Sequence, residues 1–286
     1  MGGAGTYVAT RSNVSPSPAT VQVLLAGDSI AETLAWGLDN GDQPWHVKVN
    51  SSSLTTLIGC GVTQATPIDY GGLLGPTESY CQDWQESYRK AVEQVDPAIS
   101  MLLAGRWEIA DAMYQGKMRN ILDPVYASYV EAQLTNAIDI LSNGGKAKVV
   151  LLTAPYSAWK TEPAQPLGLP SCSPGCNRHF PEDDPARVDA YNAILREIAA
   201  SDPGEVTVVD LNAEVDPGGE FTPCVQPSGH AVSCSAPGSI PLRNSDGIHF
   251  FVPSSAAGAP PLWGGEWLRP WLLPKLYALA GKHAAT

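Results

Sequence analysis

The chain has 286 residues, a formal net charge of −12 and 44% apolar residues. That length suits one large α/β domain or at most two small ones, and the apolar share is that of a chain that folds. The acidic balance excludes a nucleic-acid partner, whose phosphates need a basic face, and otherwise bears on solubility.

Residues 1–20 are Gly, Ser, Thr and Pro with little periodicity, which reads as a flexible linker or tail. From there strand and helix patterns alternate. "VQVLLAG" (21–27) is a buried-type strand, followed by a helix through "SIAETLAWGL" that stops at "DNGD". At its start, Ser29 and Glu32 have the spacing of a capping box. "PWHVKVN" (44–50) is a second strand, "TESYCQDWQESYRKAVEQV" (77–95) a helix, and "AISMLLAG" (98–105) a third strand. The long helix "DPVYASYVEAQLTNAIDILSNGG" ends at Gly144 and Gly145; "KVVLLTAP" (148–155), "ARVDAYNAILREIAAS" and "EVTVVDLN" (205–212) add strand, helix and strand. Short apolar runs separated by helices predict a three-layer α/β/α sandwich around a mostly parallel five-stranded sheet. One domain over 21–286 is expected, since no repeat and no second core pattern is visible.

Two segments break the rhythm, 156–185 and 213–245, both rich in Pro, Gly and Cys. Loops of that length are functional or stapled, and both follow strand ends, where open α/β sheets place ligands. The six cysteines, Cys60, Cys81, Cys172, Cys176, Cys224 and Cys234, fall into three local pairs. That pattern points to disulfides and an oxidising compartment, against the alternative of buried thiols in a cytosolic protein. Cys172, Cys176 and His179 have loosely zinc-like spacing without a fourth ligand nearby. No apolar run of about 20 residues is present, and Met1 is not followed by a signal peptide. An extracytoplasmic chain of this kind is expected to be a domain of a longer protein.

Among chemistry-bearing motifs, G-x-S-x-G, the phosphate-cradling glycine loops and H-E-x-x-H are all missing. What remains is "GDS" after the first strand and "DGIHF" (246–250) before the last helix. A hydroxyl needs an adjacent base, usually a histidine held in one tautomer by a carboxylate. Asp246 and His249 are three residues apart, so one turn can point both the same way, with Nε2 toward Ser29 and Asp246 on Nδ1. The alternative for His249 is a capped or core histidine. The other four histidines have no comparable partner.

These residues resemble the SGNH hydrolase superfamily, also called the GDSL esterases. Gly27, Asp28, Ser29 and Ile30 match its first block, and Asp246 with His249 its last. The resemblance implies the flavodoxin-like sandwich, Ser29 as nucleophile, His249 as base, Asp246 as orienter, and no metal or organic cofactor. It also implies an oxyanion hole from the Ser29 N–H and a glycine in "LIGCGVT", Gly61 in preference to Gly59, with Cys60 tying that loop down, to Cys81 or another partner. The family's third block is G-x-N, whereas here "AGRWEIAD" puts Trp107 where asparagine is expected. Arg106 or the Trp107 indole N–H are the candidate replacements, set against a packing role for both.

The set "GDSI", "GCG", "GRWE" and "DGIHF" is similar to SGNH domains attached to acyltransferase-3 type membrane proteins. That implies O-acyl transfer to or from a cell-surface carbohydrate through an acyl-serine. It further implies an attached transmembrane acyltransferase partner and an extracytoplasmic, membrane-tethered location. Alternatives are a secreted stand-alone esterase or a catalytically silent glycan-binding domain. Trp263, Trp267 and Trp271, four apart, read as a packed helix face in preference to a sugar platform.

Overall fold

A strand that is apolar on both faces must be covered on both. The computed structural model describes residues 19–38, 44–67, 79–158, 181–254 and 262–281. In it β1 (Val21–Gly27) leads to α1 (Ser29–Leu38), β2 (Val47–Asn50), β3 (Thr66–Pro67), α2 (Ser79–Gln82), α3 (Trp84–Val95) and β4 (Ile99–Leu103). Then come α4 (Arg106–Ile109), β5 (Ala112–Tyr114), β6 (Lys117–Arg119), α5 (Pro124–Leu141) and β7 (Lys148–Leu152). The remainder is α6 (Pro185–Ser201), β8 (Val206–Val209), α7 (Leu211–Val215), β9 (Cys224–Val225), β10 (Ile240–Pro241) and α8 (Gly264–Leu279).

Five strands pair in parallel in the order β2-β1-β4-β7-β8. Side chains alternate between the faces, as a strand's period of two requires. Leu24, Ala26, Leu102, Val149 and Leu151 pack with α3, α5 and α6, while Val23, Leu25, Met101, Val150 and Leu152 pack with α1 and α8. This is the expected three-layer α/β/α sandwich. The helix after β1 covers one face and the helices after β2 the other, so the strand order reverses between β1 and β4. In open α/β sheets the crevice at the carboxyl ends of such a strand pair is where ligands sit.

The elements differ from expectation at their edges. The helix expected over 77–95 breaks into α2 and α3 at Asp83, and β2 begins at Val47, after His46 at φ 51°. The capping box does not form: the cap is one residue earlier, with the Asp28 carboxylate accepting from the Ile30 N–H at 2.8 Å. The strand expected over 205–212 ends at Val209 and gives way to α7 at Leu211, and the segment 213–245 is not merely loop, since it takes in the end of α7 and the antiparallel pair β9–β10. A small antiparallel sheet, β3-β5-β6, was not foreseen. Trp263 is buried and Trp267 and Trp271 pack against the core, in keeping with a packed helix face. Gly37 and Gly265 let α8 approach α1 until backbones touch; a Cβ on Gly265 would lie 2.6 Å from the Leu34 carbonyl oxygen.

Disulfides join Cys60 to Cys81 and Cys224 to Cys234. Cys172, Cys176 and His179, most of the 156–185 segment and nearly all of 1–20 lie outside the described residues. No helix among the described residues is long and apolar enough to cross a membrane.

Candidate active site

The end of β1 is shaped by Gly27. Its φ is +148°, and a Cβ there would run into the Leu103 carbonyl of β4, so only glycine lets the two strands close up before the turn. The Asp28 carboxylate then caps α1, which leaves the hydroxyl of Ser29, the first helical residue, unused by the local backbone. Asp28 is 1% exposed. Burial pushes its carboxyl up to about 6, against the opposing pull of the Ile30 N–H and the charges of His249 and Arg106.

Opposite Ser29 stands a turn stapled from several sides. The Asn244 N–H donates to the His249 carbonyl and the Gly247 N–H to the Asn244 carbonyl. The Phe250 N–H donates to Thr33 Oγ1 on α1, at 3.2 Å. Arg243, at the base of the turn, is buried in an ion pair with Asp216 at 3.2 Å, and its guanidinium lies 4.9 Å from the Phe250 ring centroid. Asp216 also accepts from the Tyr156 N–H at 2.9 Å, joining this turn to the segment after β7.

The structure brings Ser29, His249 and Asp246 together. His249 Nε2 is 2.8 Å from Ser29 Oγ, and His249 Nδ1 is 2.7 Å from Asp246 Oδ2. The other Asp246 oxygen accepts from the Ile248 and His249 N–H groups at 2.8 and 3.1 Å. Burial pushes the Asp246 carboxyl up, but the His249 ring bond and these backbone donors outweigh it and hold it below the ordinary range. An ionised carboxylate only accepts, so it selects the tautomer with hydrogen on Nδ1. Nε2 is then left as an acceptor for the Ser29 proton.

The glycine candidates lie on the loop after β2, which is drawn to β1 by Gly27 N–H to Thr55 O at 2.8 Å and Leu57 N–H to Gly27 O at 2.9 Å. The Cys60–Cys81 bond fixes this loop to α2. Gly59 supplies a left-handed turn at φ +78°, whereas Gly61 is glycine for want of space, since a Cβ there would collide with Glu108 Oε1 and lie 2.9 Å from Trp107 Cβ. Of the candidates for the missing asparagine, Arg106 is buried and paired with Glu182 at 2.7 Å. Trp107 sits against Gly61, and its indole N–H is buried with no hydrogen-bond partner among the described residues.

Two residues here were not anticipated. Glu182 lies in a segment read as loop. Glu108 is fully buried, and its Oε1 accepts from the Val62 N–H at 2.6 Å. Burial pushes it up to about 7, with the Asp28 charge adding to the rise. The only signal for Glu108 was its place beside the motif, "GRWE". A cavity of about 20 Å³ bounded by Asp28, Arg106, Ser157 and Glu182 has room for one water, too little for a substrate.

A serine closing the first strand of an α/β/α sandwich, with an Asp-x-x-His turn facing it, is the layout of an SGNH hydrolase. The chain belongs to this family: the family model described as SGNH domain (fused to AT3 domains) matches residues 5–215. That span includes Ser29, Gly59, Gly61, Arg106 and Trp107 and ends before Asp246. Among solved structures, a GDSL-like lipase from Bacteroides thetaiotaomicron VPI-5482 is 15% identical, covering 80% of this chain and 78% of its own, with a TM-score of 0.42. A gut microbial diltiazem-metabolizing enzyme is 14% identical, covering 74% of this chain and 43% of its own, with a TM-score of 0.38. No curated protein matches.

Proposed function

We propose that the chain is a serine-dependent O-acyltransferase or esterase acting on a cell-surface carbohydrate. The observation that carries this reading is the continuous relay from Ser29 Oγ through His249 to Asp246, at 2.8 and 2.7 Å. His249 takes the Ser29 proton as Oγ attacks an acyl carbonyl, and returns it to the leaving oxygen. In the second half, His249 takes the proton of a sugar hydroxyl or water as that oxygen attacks the acyl-serine, the acyl–Oγ bond breaks, and the proton returns to Ser29 Oγ. The oxyanion is held by the Ser29 N–H at the positive end of α1, by the Gly61 N–H, and by the Trp107 indole N–H in place of the family's asparagine.

The family's description, SGNH domain fused to AT3 domains, and the two disulfides support an attached membrane acyltransferase as acyl donor and a location outside the cytoplasm. The test is Ser29→Ala with p-nitrophenyl acetate, together with intact-mass analysis after exposure to donor. Loss of turnover and of the acyl adduct is expected; undiminished turnover sinks the reading.

A further inference from the structure

Gly61 lies between two anchors. On one side Cys60 is 3% exposed and bonded to Cys81. On the other, Val62 is 1% exposed and its N–H donates to Glu108 Oε1 at 2.6 Å. The glycine itself has no side chain with which to fix its peptide planes, and glycine is the most freely rotating residue. An oxyanion donor works only if it is aimed before the charge develops.

We propose that Glu108 is a positioning residue for the oxyanion hole. Its carboxylate grips the backbone just beyond Gly61 and fixes the direction of the Gly61 N–H. This rests on the reading of Ser29 as nucleophile and Gly61 as oxyanion donor. The carboxylate touches no reacting atom. In this chain the third block acts partly by holding the second block's loop, where the family's asparagine would donate directly.

The grip is strongest when Glu108 is ionised, since a charged acceptor forms the stronger hydrogen bond. The titratable groups coupled to it are Asp28 at the end of β1, Tyr88 on α3, Tyr126 and Tyr129 on α5, and Tyr191 on α6. Burial pushes all four tyrosines up, so they stay neutral at working pH. Asp28 is the one whose charge changes in the same range as that of Glu108.

The test compares wild type, Glu108→Gln and Ser29→Ala with p-nitrophenyl acetate across pH, alongside the NMR shift of the Val62 amide proton. In Glu108→Gln, kcat is expected to fall about 10- to 100-fold with KM little changed. Its acid limb should lose the ionisation that belongs to Glu108. In wild type the Val62 amide proton should move with pH, with a midpoint near the Glu108 value of about 7, and in Glu108→Gln it should stay still. Wild-type kcat in Glu108→Gln beside an inactive Ser29→Ala overturns the positioning role alone. A Val62 proton that ignores pH in the wild type does the same. Full activity in Ser29→Ala overturns the nucleophile reading and this inference with it.

Discussion

The carboxylate of Glu108 fills the space that a side chain on Gly61 would need. Replacing Gly61 by alanine therefore drives a methyl into a buried, hydrogen-bonded carboxylate. Overpacking of this kind costs about 1–3 kcal/mol. Gly61→Ala should lose that much in urea unfolding and lose more than tenfold in kcat. Gly59→Ala meets only Tyr80 Oη at 3.9 Å, so it should show the backbone strain of its φ of +78° and keep most of its activity. Equal activities for the two variants would contradict Gly61 as the donor.

Asp246→Asn keeps the shape of the turn but presents an amide where Nδ1–H now finds a carboxylate. The ring can then flip its proton to Nε2 and lose its function as base. A fall in kcat of roughly 10²- to 10⁴-fold is expected, with a melting temperature close to wild type. Because its carboxyl is held below the ordinary range, Asp246 stays ionised throughout neutral and mildly acidic conditions. The acid limb of the wild-type rate profile is therefore not set by Asp246.

Removing the Cys60–Cys81 bond frees a loop spanning 21 residues. The chain-entropy relation gives a loss of about 3 kcal/mol for a loop of this size. A Cys60→Ser, Cys81→Ser double variant should show that loss by denaturant titration. It should also lose activity at temperatures where it remains folded, since one of the two anchors around Gly61 is gone. The Cys224–Cys234 bond closes a shorter loop of 10 residues, and a Cys224→Ser, Cys234→Ser double variant should leave turnover of a small ester unchanged.

The sheet was legible because parallel strands buried on both faces are written as apolar runs such as "VQVLLAG" and "KVVLL". Their ends were not, because pairing, not hydrophobicity, sets them: β2 starts where Val47 meets Val21. The β5–β6 hairpin turns through Gln115 and Gly116, both at positive φ. Its three-residue strands carry an exposed Met118, so it gave neither an Asn-Gly signal nor an alternating pattern. In the candidate site, the meeting of Ser29, His249 and Asp246 was legible because a serine proposed as nucleophile calls for a base and an orienter, and two of the three stand within one turn. Glu108 and Glu182 were not, because each acts through a partner far along the chain, Val62 at 46 residues and Arg106 at 76. No local pattern records such a contact.

Asp28 and Glu108 also predict how stability varies with pH. Both carboxyls are raised by burial, to about 6 and about 7, from 3.8 and 4.5. Between those limits the folded protein holds protons that the unfolded chain releases, so stability must fall as pH rises through this window. Below about pH 4 the two states bind these protons alike and the contribution is constant. The melting temperature should therefore decline by several degrees between pH 5 and pH 8. In Glu108→Gln the decline should be shallower, because of the two only Asp28 is left to titrate. A melting temperature that rises over this range would contradict the buried, proton-holding state of both groups.

Ser29 and His249 are separated by 220 positions in the chain. At a synthesis rate of about 5–20 residues per second, the serine emerges roughly 10–45 s before the imidazole that would activate it. All five strands of the main sheet precede the Asp246–His249 turn. A nascent chain can thus complete its sheet and cap α1 while its hydroxyl still has no proton acceptor. On the proposed mechanism, chemistry would begin only once the last turn docks, with Phe250 bonded to Thr33 and Arg243 closed on Asp216. On that mechanism the order of the polypeptide acts as a delay, and a chain stopped short of Asp246 would lack the base that Ser29 needs.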